Sequence, residues 1–187
     1  ERLTERGLAT RIAYIAYYDT AFPPVTERLK NPDRFVLLLA AITRSYTETP
    51  DMTARKRELP KFELNKNVFP TDLGDYIRYS EGWQETAFTP KFCYEYHFWR
   101  HLFSDVSTLT MAKRVVEDVK AYKKNGVNGV IEDGSQRSFF PNGLLFTTYA
   151  NTLYDTKISF DAIKEDYFKH AYGEDYKEVI KLFEKLG

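Results

Sequence analysis

Residues 92–98, Phe92–Cys93–Tyr94–Glu95–Tyr96–His97–Phe98, decide the fold together with the helical and extended patterns downstream of them. The run is rich in aromatic and buried-type residues and reads as a strand from Phe92 to Phe98. From Ser107 to Lys124 the period changes. Leu109, Ala112, Val115, Val116, Val119 and Tyr122 recur at three- and four-residue steps, which gives a helix one apolar face. Asn125–Gly126 ends that helix, and Gly129–Val130–Ile131–Glu132 returns to a short strand closed by Asp133–Gly134. Strand, helix, glycine and strand in this order make a βαβ unit, whose strands run parallel.

Two further apolar runs lie upstream. Arg11–Tyr18 (RIAYIAYY) is closed by Asp19–Thr20 and Pro23–Pro24, and Arg34–Thr43 (RFVLLLAAIT) is followed by Arg44–Ser45–Tyr46. Both are apolar on both faces, as expected for strands covered on both sides of a parallel sheet. Helices are expected over Asp72–Thr86, Leu144–Tyr154, Phe160–Tyr172 and Asp175–Leu186, with Ser159 as a cap and Gly173 as a stop. Thr47–Leu73 is polar and aperiodic and reads as a long insertion loop, whose basic cluster Arg55–Lys56–Arg57 is a solvated face. The first eight residues read as the tail of a helix stopped at Gly7, and with no initial methionine a larger protein is expected upstream. The fold class is α/β, a single domain over 1–187 with about four βα units. Such a set forms either a small open sheet or the second half of an eight-stranded barrel, since both place ligands at the C-terminal strand edge.

Composition narrows the partners. With 27 Lys plus Arg against 27 Asp plus Glu, the chain lacks the basic footprint of a nucleic-acid binder, and none is expected as partner. The longest uncharged apolar run, Phe35–Ile42, is far short of the about 20 residues of a membrane helix, so no membrane partner is expected. Glu1–Arg6 is too charged for a signal peptide, and the single cysteine, Cys93, excludes an internal disulfide framework. The expectation is a soluble chain whose compartment, secreted, periplasmic or cytoplasmic, stays open. Its unusual feature is an aromatic content of 16%.

Each strand run ends in polar groups: Asp19 after the first, Arg44 after the second, Glu95 and His97 in the third, Glu132 and Asp133 after the fourth. Parallel strands bring such ends to one rim. Paired carboxyl groups there can act as acid and base or nucleophile, and rings such as Tyr96 and Trp99 can stack on sugar faces. The same charges could instead cap strands or meet solvent. Glu95 fits that alternative least, because a carboxylate flanked by Cys93, Tyr94 and Tyr96 needs a partner or a task. Period-two alternation puts Glu95 with Cys93 and His97 on one face, and Tyr94, Tyr96 and Phe98 on the other. His97 and His101 stand four apart but at a strand end and without a carboxylate between them, so no metal site is expected. His170 reads as surface and Cys93 as a small core residue. Gly126–Gly129 precedes a strand where a phosphate loop must come after one, and Glu132–Ser138 lacks P-loop spacing. No cofactor is expected.

The stretches YIAYYDTAFPP, AAITRSY, CYEYHFW and GVNGVIEDGSQRSFFPNGLLFTTYANTLYDTKISFDAIKEDYFKHAYGED together resemble a bacterial family of glycoside-hydrolase-like (β/α)8-barrel proteins. That family, a domain of unknown function, is distantly similar to α-glucuronidases and hexosaminidases. The resemblance implies that the chain is the C-terminal half of a TIM-type barrel, strands five to eight, acting on an oligo- or polysaccharide in a protein of which this piece alone is inactive. On that count the third run is strand seven, which makes Glu95 the nucleophile and places the acid/base upstream. Asp133 becomes a second catalytic acid, and Glu132, Asp19 and Arg44 become substrate contacts, Arg44 for a sugar carboxylate. A half-barrel would expose its edges and interior face, so a homodimer through that surface is expected. The alternative is a non-catalytic α/β domain that binds glycan or protein.

Overall fold

The computed structural model describes residues 2–47, 58–66, 68–86, 91–99, 105–134 and 139–187, with the side chains of 84–86 left aside. The expectations for Arg55–Lys56–Arg57, His101 and loop residues 135–138 lie outside the described residues, as does part of the insertion loop. The chain divides into two compact units. The first comprises Glu1–Ser45, Asp51–Glu95 and Asn125–Ile131, and the second Tyr46–Pro50, Tyr96–Lys124 and Glu132–Gly187.

The first unit carries the sheet. Its strands are β1 (Ile12–Ala16), β2 (Phe35–Ala40), β3 (Lys91–Glu95) and β4 (Gly129–Glu132), in the spatial order β1-β2-β3-β4. β1 and β2 pair in parallel with Ile12 opposite Phe35, and β2 and β3 in parallel with Leu37 opposite Lys91. Spatial order follows chain order, without the reversal that defines the switch point of a doubly wound sheet. Among the described residues this unit holds two α-helices, the short α1 (Arg2–Glu5), followed by Gly7 at φ +69°, and α2 (Leu73–Thr86).

The register sorts the side chains into two faces. Tyr14, Ala16, Leu37, Leu39, Lys91 and Cys93 share one face, and from Ala16 onward all of these are at most 2% exposed. α2 covers that face: Trp83 packs on Tyr14 at 5.1 Å between ring centroids and donates its indole N–H to the Ala21 carbonyl (3.2 Å). Tyr76 and Ile77 of the same helix are fully buried. The opposite face, with Ile15, Val36, Leu38, Phe92 and Tyr94, is exposed or half-buried.

The structure departs from two expectations. β1 is not covered on both sides, since Ile12 and Ile15 remain 43% and 52% exposed. It is an edge strand with one neighbour, and an apolar run looks the same at an edge as at the centre. The third run ends as a strand at Glu95, and residues 97–99 are helical, so the alternation that would align His97 with Glu95 stops short.

The second unit is helical. It holds α3 (Leu109–Lys124), α4 (Leu144–Tyr154), α5 (Phe160–Tyr172) and α6 (Tyr176–Leu186). Its core takes Val115, Val119 and Tyr122 from α3, Leu144 and Leu145 from α4, Phe168 from α5 and Phe183 from α6. The Ser159 hydroxyl accepts the Ala162 N–H at the start of α5, and Gly173 closes that helix at φ +61°. α3 starts from a polar knot: Asp105 accepts from the Met111 N–H (2.7 Å) and the Ser107 hydroxyl (2.8 Å). Thr108, at φ +66°, donates to the Asn142 amide oxygen (2.9 Å), which also receives the Leu144 N–H at the start of α4.

Gly129 lies close against Phe92, because a Cβ there would lie 2.5 Å from a carbon of its ring. Gly129→Ala is expected to cost about 1–3 kcal/mol by overpacking. Chemical denaturation would measure it, and a loss below a few tenths would contradict this packing.

Candidate functional site

In the first unit the strand-end residues meet through the turn after β2. Thr43 donates to the Pro70 carbonyl (2.6 Å), and the Ser45 N–H donates to the Thr71 carbonyl (2.6 Å). These bonds pin the turn and present Arg44, whose Nη1 donates to Glu95 Oε1 at 3.0 Å. The side chains are 0% and 1% exposed, so this is a buried ion pair. Glu95 continues the helix-covered face of Lys91 and Cys93. Asp19 lies elsewhere in the unit, exposed, in the 3-10 turn Tyr18–Ala21.

At the other end of β3, Lys91 is 2% exposed and donates to the Ser80 hydroxyl (3.3 Å). Burial pushes its pKa below 10.5, an effect partly offset by Cys93 and Glu81.

In the second unit the centre is His97, fully buried. Its Nδ1 lies 3.1 Å from Glu132 Oε2 and its Nε2 lies 2.9 Å from Asp118 Oδ2. The ring is thus held between two acids, one on each nitrogen. Glu132 Oε1 also accepts the Phe98 N–H (3.1 Å), an amide at the start of the helical turn that has no intrahelical acceptor. Both oxygens of Glu132 are thus engaged within the protein. The Tyr46 ring and the imidazole meet edge-to-face at 5.2 Å between centroids, and the Tyr46 hydroxyl accepts the Tyr96 N–H (3.2 Å). Arg114 of α3 in turn holds the carbonyls of Tyr46 (3.1 Å) and Thr47 (3.0 Å).

This scaffold fixes residues 96–99 from both ends. The Tyr96 and Trp99 rings pack edge-on at 6.2 Å, with Trp99 39% exposed and Tyr96 half-buried. Asp133, directly after β4, is half-buried in the same unit. Tyr96, Trp99 and Asp133 are thus among the accessible groups of this unit.

Asp118 is a residue that the strand-end pattern misses. It lies three residues after Val115 and four before Tyr122, on the apolar face of α3, and an acid on such a face is the signal that finds it. The carboxylates of Asp118 and Glu132 stand on opposite ring nitrogens and share no common point. Among the described residues no group of three His, Cys, Asp or Glu side chains could hold a metal ion, and no helix is long and apolar enough to cross a membrane. Comparisons with family models, curated proteins and solved structures gave no match.

Arg44→Met leaves the Glu95 carboxylate buried without this cation and is expected to destabilise by about 3–5 kcal/mol, with Arg44→Met/Glu95→Leu recovering most of the loss. Denaturation of the two variants and the wild type tests it, and equal losses in both would refute the pairing. Lys91 gives a pH effect. Its folded-state pKa lies below the unfolded value, so the unfolded chain holds the proton more tightly, and stability rises as pH climbs towards 10.5. The stability difference between wild type and Lys91→Met should therefore move in favour of wild type over that interval, and a pH-independent difference would count against it.

Proposed function

We propose that the chain belongs to a carbohydrate-active protein built as a (β/α)8 barrel, and that its own part is to recognise sugar. The observation that carries this reading is the Tyr96–Trp99 ring pair, partly exposed and placed immediately after Glu95 in the chain. Flat apolar sugar faces stack on such rings, while Asp133 supplies an acceptor for hydroxyl groups. The barrel reading is supported by four strands whose spatial order follows the chain, as consecutive βα units of a barrel do. In a closed barrel the half-exposed face of Ile15, Val36, Leu38, Phe92 and Tyr94 becomes the packed interior.

Recognition is favoured over cleavage by the state of Glu95. A glycosidase nucleophile must reach the anomeric carbon. Glu95 is 0% exposed, on the helix-covered face, and held by Arg44. A hydrolytic reading stays attached to the complete barrel, with Glu95 as nucleophile, Asp133 as a second acid and Arg44 orienting the carboxylate.

Titration calorimetry with soluble oligosaccharides separates the readings. Binding weakened by about tenfold in Trp99→Ala is the expected result. No binding to any oligosaccharide would sink the proposal. Turnover of an aryl glycoside that falls at least about a hundredfold in Glu95→Gln would replace recognition by catalysis.

A further inference from the structure

Away from the strand ends, the first unit contains a cleft of about 660 Å³, formed by residues 22–25, residues 59–62 and the middle of α2. The volume falls within the range of small-molecule sites, about 300–1,000 Å³. Its walls are apolar and aromatic. Phe22 packs edge-on against Phe62 at 5.9 Å and against Tyr79 at 5.1 Å. The wall is built by specific contacts: the Tyr79 hydroxyl donates to the Pro60 carbonyl (2.5 Å), which ties residues 59–62 to α2. On the other side Gly82 lets the helix approach Pro23, since a Cβ there would lie 2.7 Å from the proline ring.

Charge in this cleft is unevenly placed. Lys61 and Glu81 are exposed, and Lys61 already has Glu58 at 3.8 Å. Arg78 is the charge set into the wall, with its side chain 27% exposed. It forms an ion pair with the buried Asp75, whose Oδ1 is 3.6 Å from Nη1, longer than a hydrogen bond. The buried Nη1 finds no acceptor among the described residues. The exposed part of the Arg78 side chain leaves N–H groups other than Nη1 for a ligand, and a planar carboxylate matches such a fork.

We propose that this cleft binds a small amphipathic carboxylate, an apolar ring or short chain bearing one anionic group, with the apolar part against Phe22, Phe62 and Tyr79 and the carboxylate on Arg78. One wall cation fits one negative charge, and the apolar walls disfavour a polyanion. This site is independent of the strand-end residues and does not rest on the carbohydrate reading.

The probes are 2-naphthoate and its uncharged counterpart 2-naphthalenemethanol, titrated into the chain by calorimetry with ligand-observed NMR. The expected result is 2-naphthoate binding with Kd below about 1 mM. Arg78→Met, which keeps the apolar stem, should weaken it by about tenfold or more and leave the alcohol unchanged. Phe62→Ala, at a half-exposed position, should weaken both compounds. Absence of 2-naphthoate binding, equal affinity for acid and alcohol in the wild type, or unchanged affinity in Arg78→Met would each overturn the proposal. The comparison of acid with alcohol needs only the wild-type chain, so it decides even if a variant fails to fold.

Discussion

An imidazole with a carboxylate on each nitrogen is the contact on which the second unit depends. Burying three ionisable groups is unfavourable unless each meets an opposite charge or a hydrogen bond. His97, Asp118 and Glu132 meet that condition together: removing His97 takes a partner from both acids, and removing either acid takes a partner from one ring nitrogen. The demand reaches into the backbone. Residue 97 has to turn its ring towards Asp118 on α3, so the extended chain gives way after Glu95 to a helical turn, whose Phe98 amide Glu132 then receives. The position of Tyr96 and Trp99 results from that turn.

The first unit solves a similar problem with a different pair. β3 carries a polar group at each end of its buried face, Lys91 and Glu95, with Cys93 between them. Glu95 is matched by a guanidinium fixed in a pinned turn, a strong pairing with directional bonds. Lys91 donates to the Ser80 hydroxyl, and burial lowers its pKa against the opposing pull of Cys93 and Glu81. A strand of five residues therefore carries a buried acid at one end and a buried base at the other.

Much of this architecture was legible from local pattern. The bounds of β4, α4 and α5 coincide with the expected ones, because Ser159, Gly173 and the change from period two to period 3.6 act within a few residues. What could not be read depends on residues far apart in the chain. Nothing near Arg44 indicates that Glu95 is its counter-ion, and nothing near His97 indicates Asp118. The YEYHF run has the composition of a strand throughout, yet the strand ends at Glu95 and His97 turns to the distant Asp118. The exposure of Ile12 and Ile15 is a matter of position in the sheet, which an apolar run does not encode. For the candidate site, residue types were legible and their engagement was not, as Glu132 shows by directing both oxygens inward.

The parallel register of the sheet also sets an order of assembly. Leu37 and Lys91 are neighbours in space but are separated by the whole insertion loop and α2, so their pairing must close a long loop before any contact compensates for it. The helices α4, α5 and α6 succeed one another with short connections, and their contacts close locally. The helical unit is therefore the fast-forming part of the chain, and the sheet is the part whose half-exposed apolar face stays open longest to wrong partners while it folds.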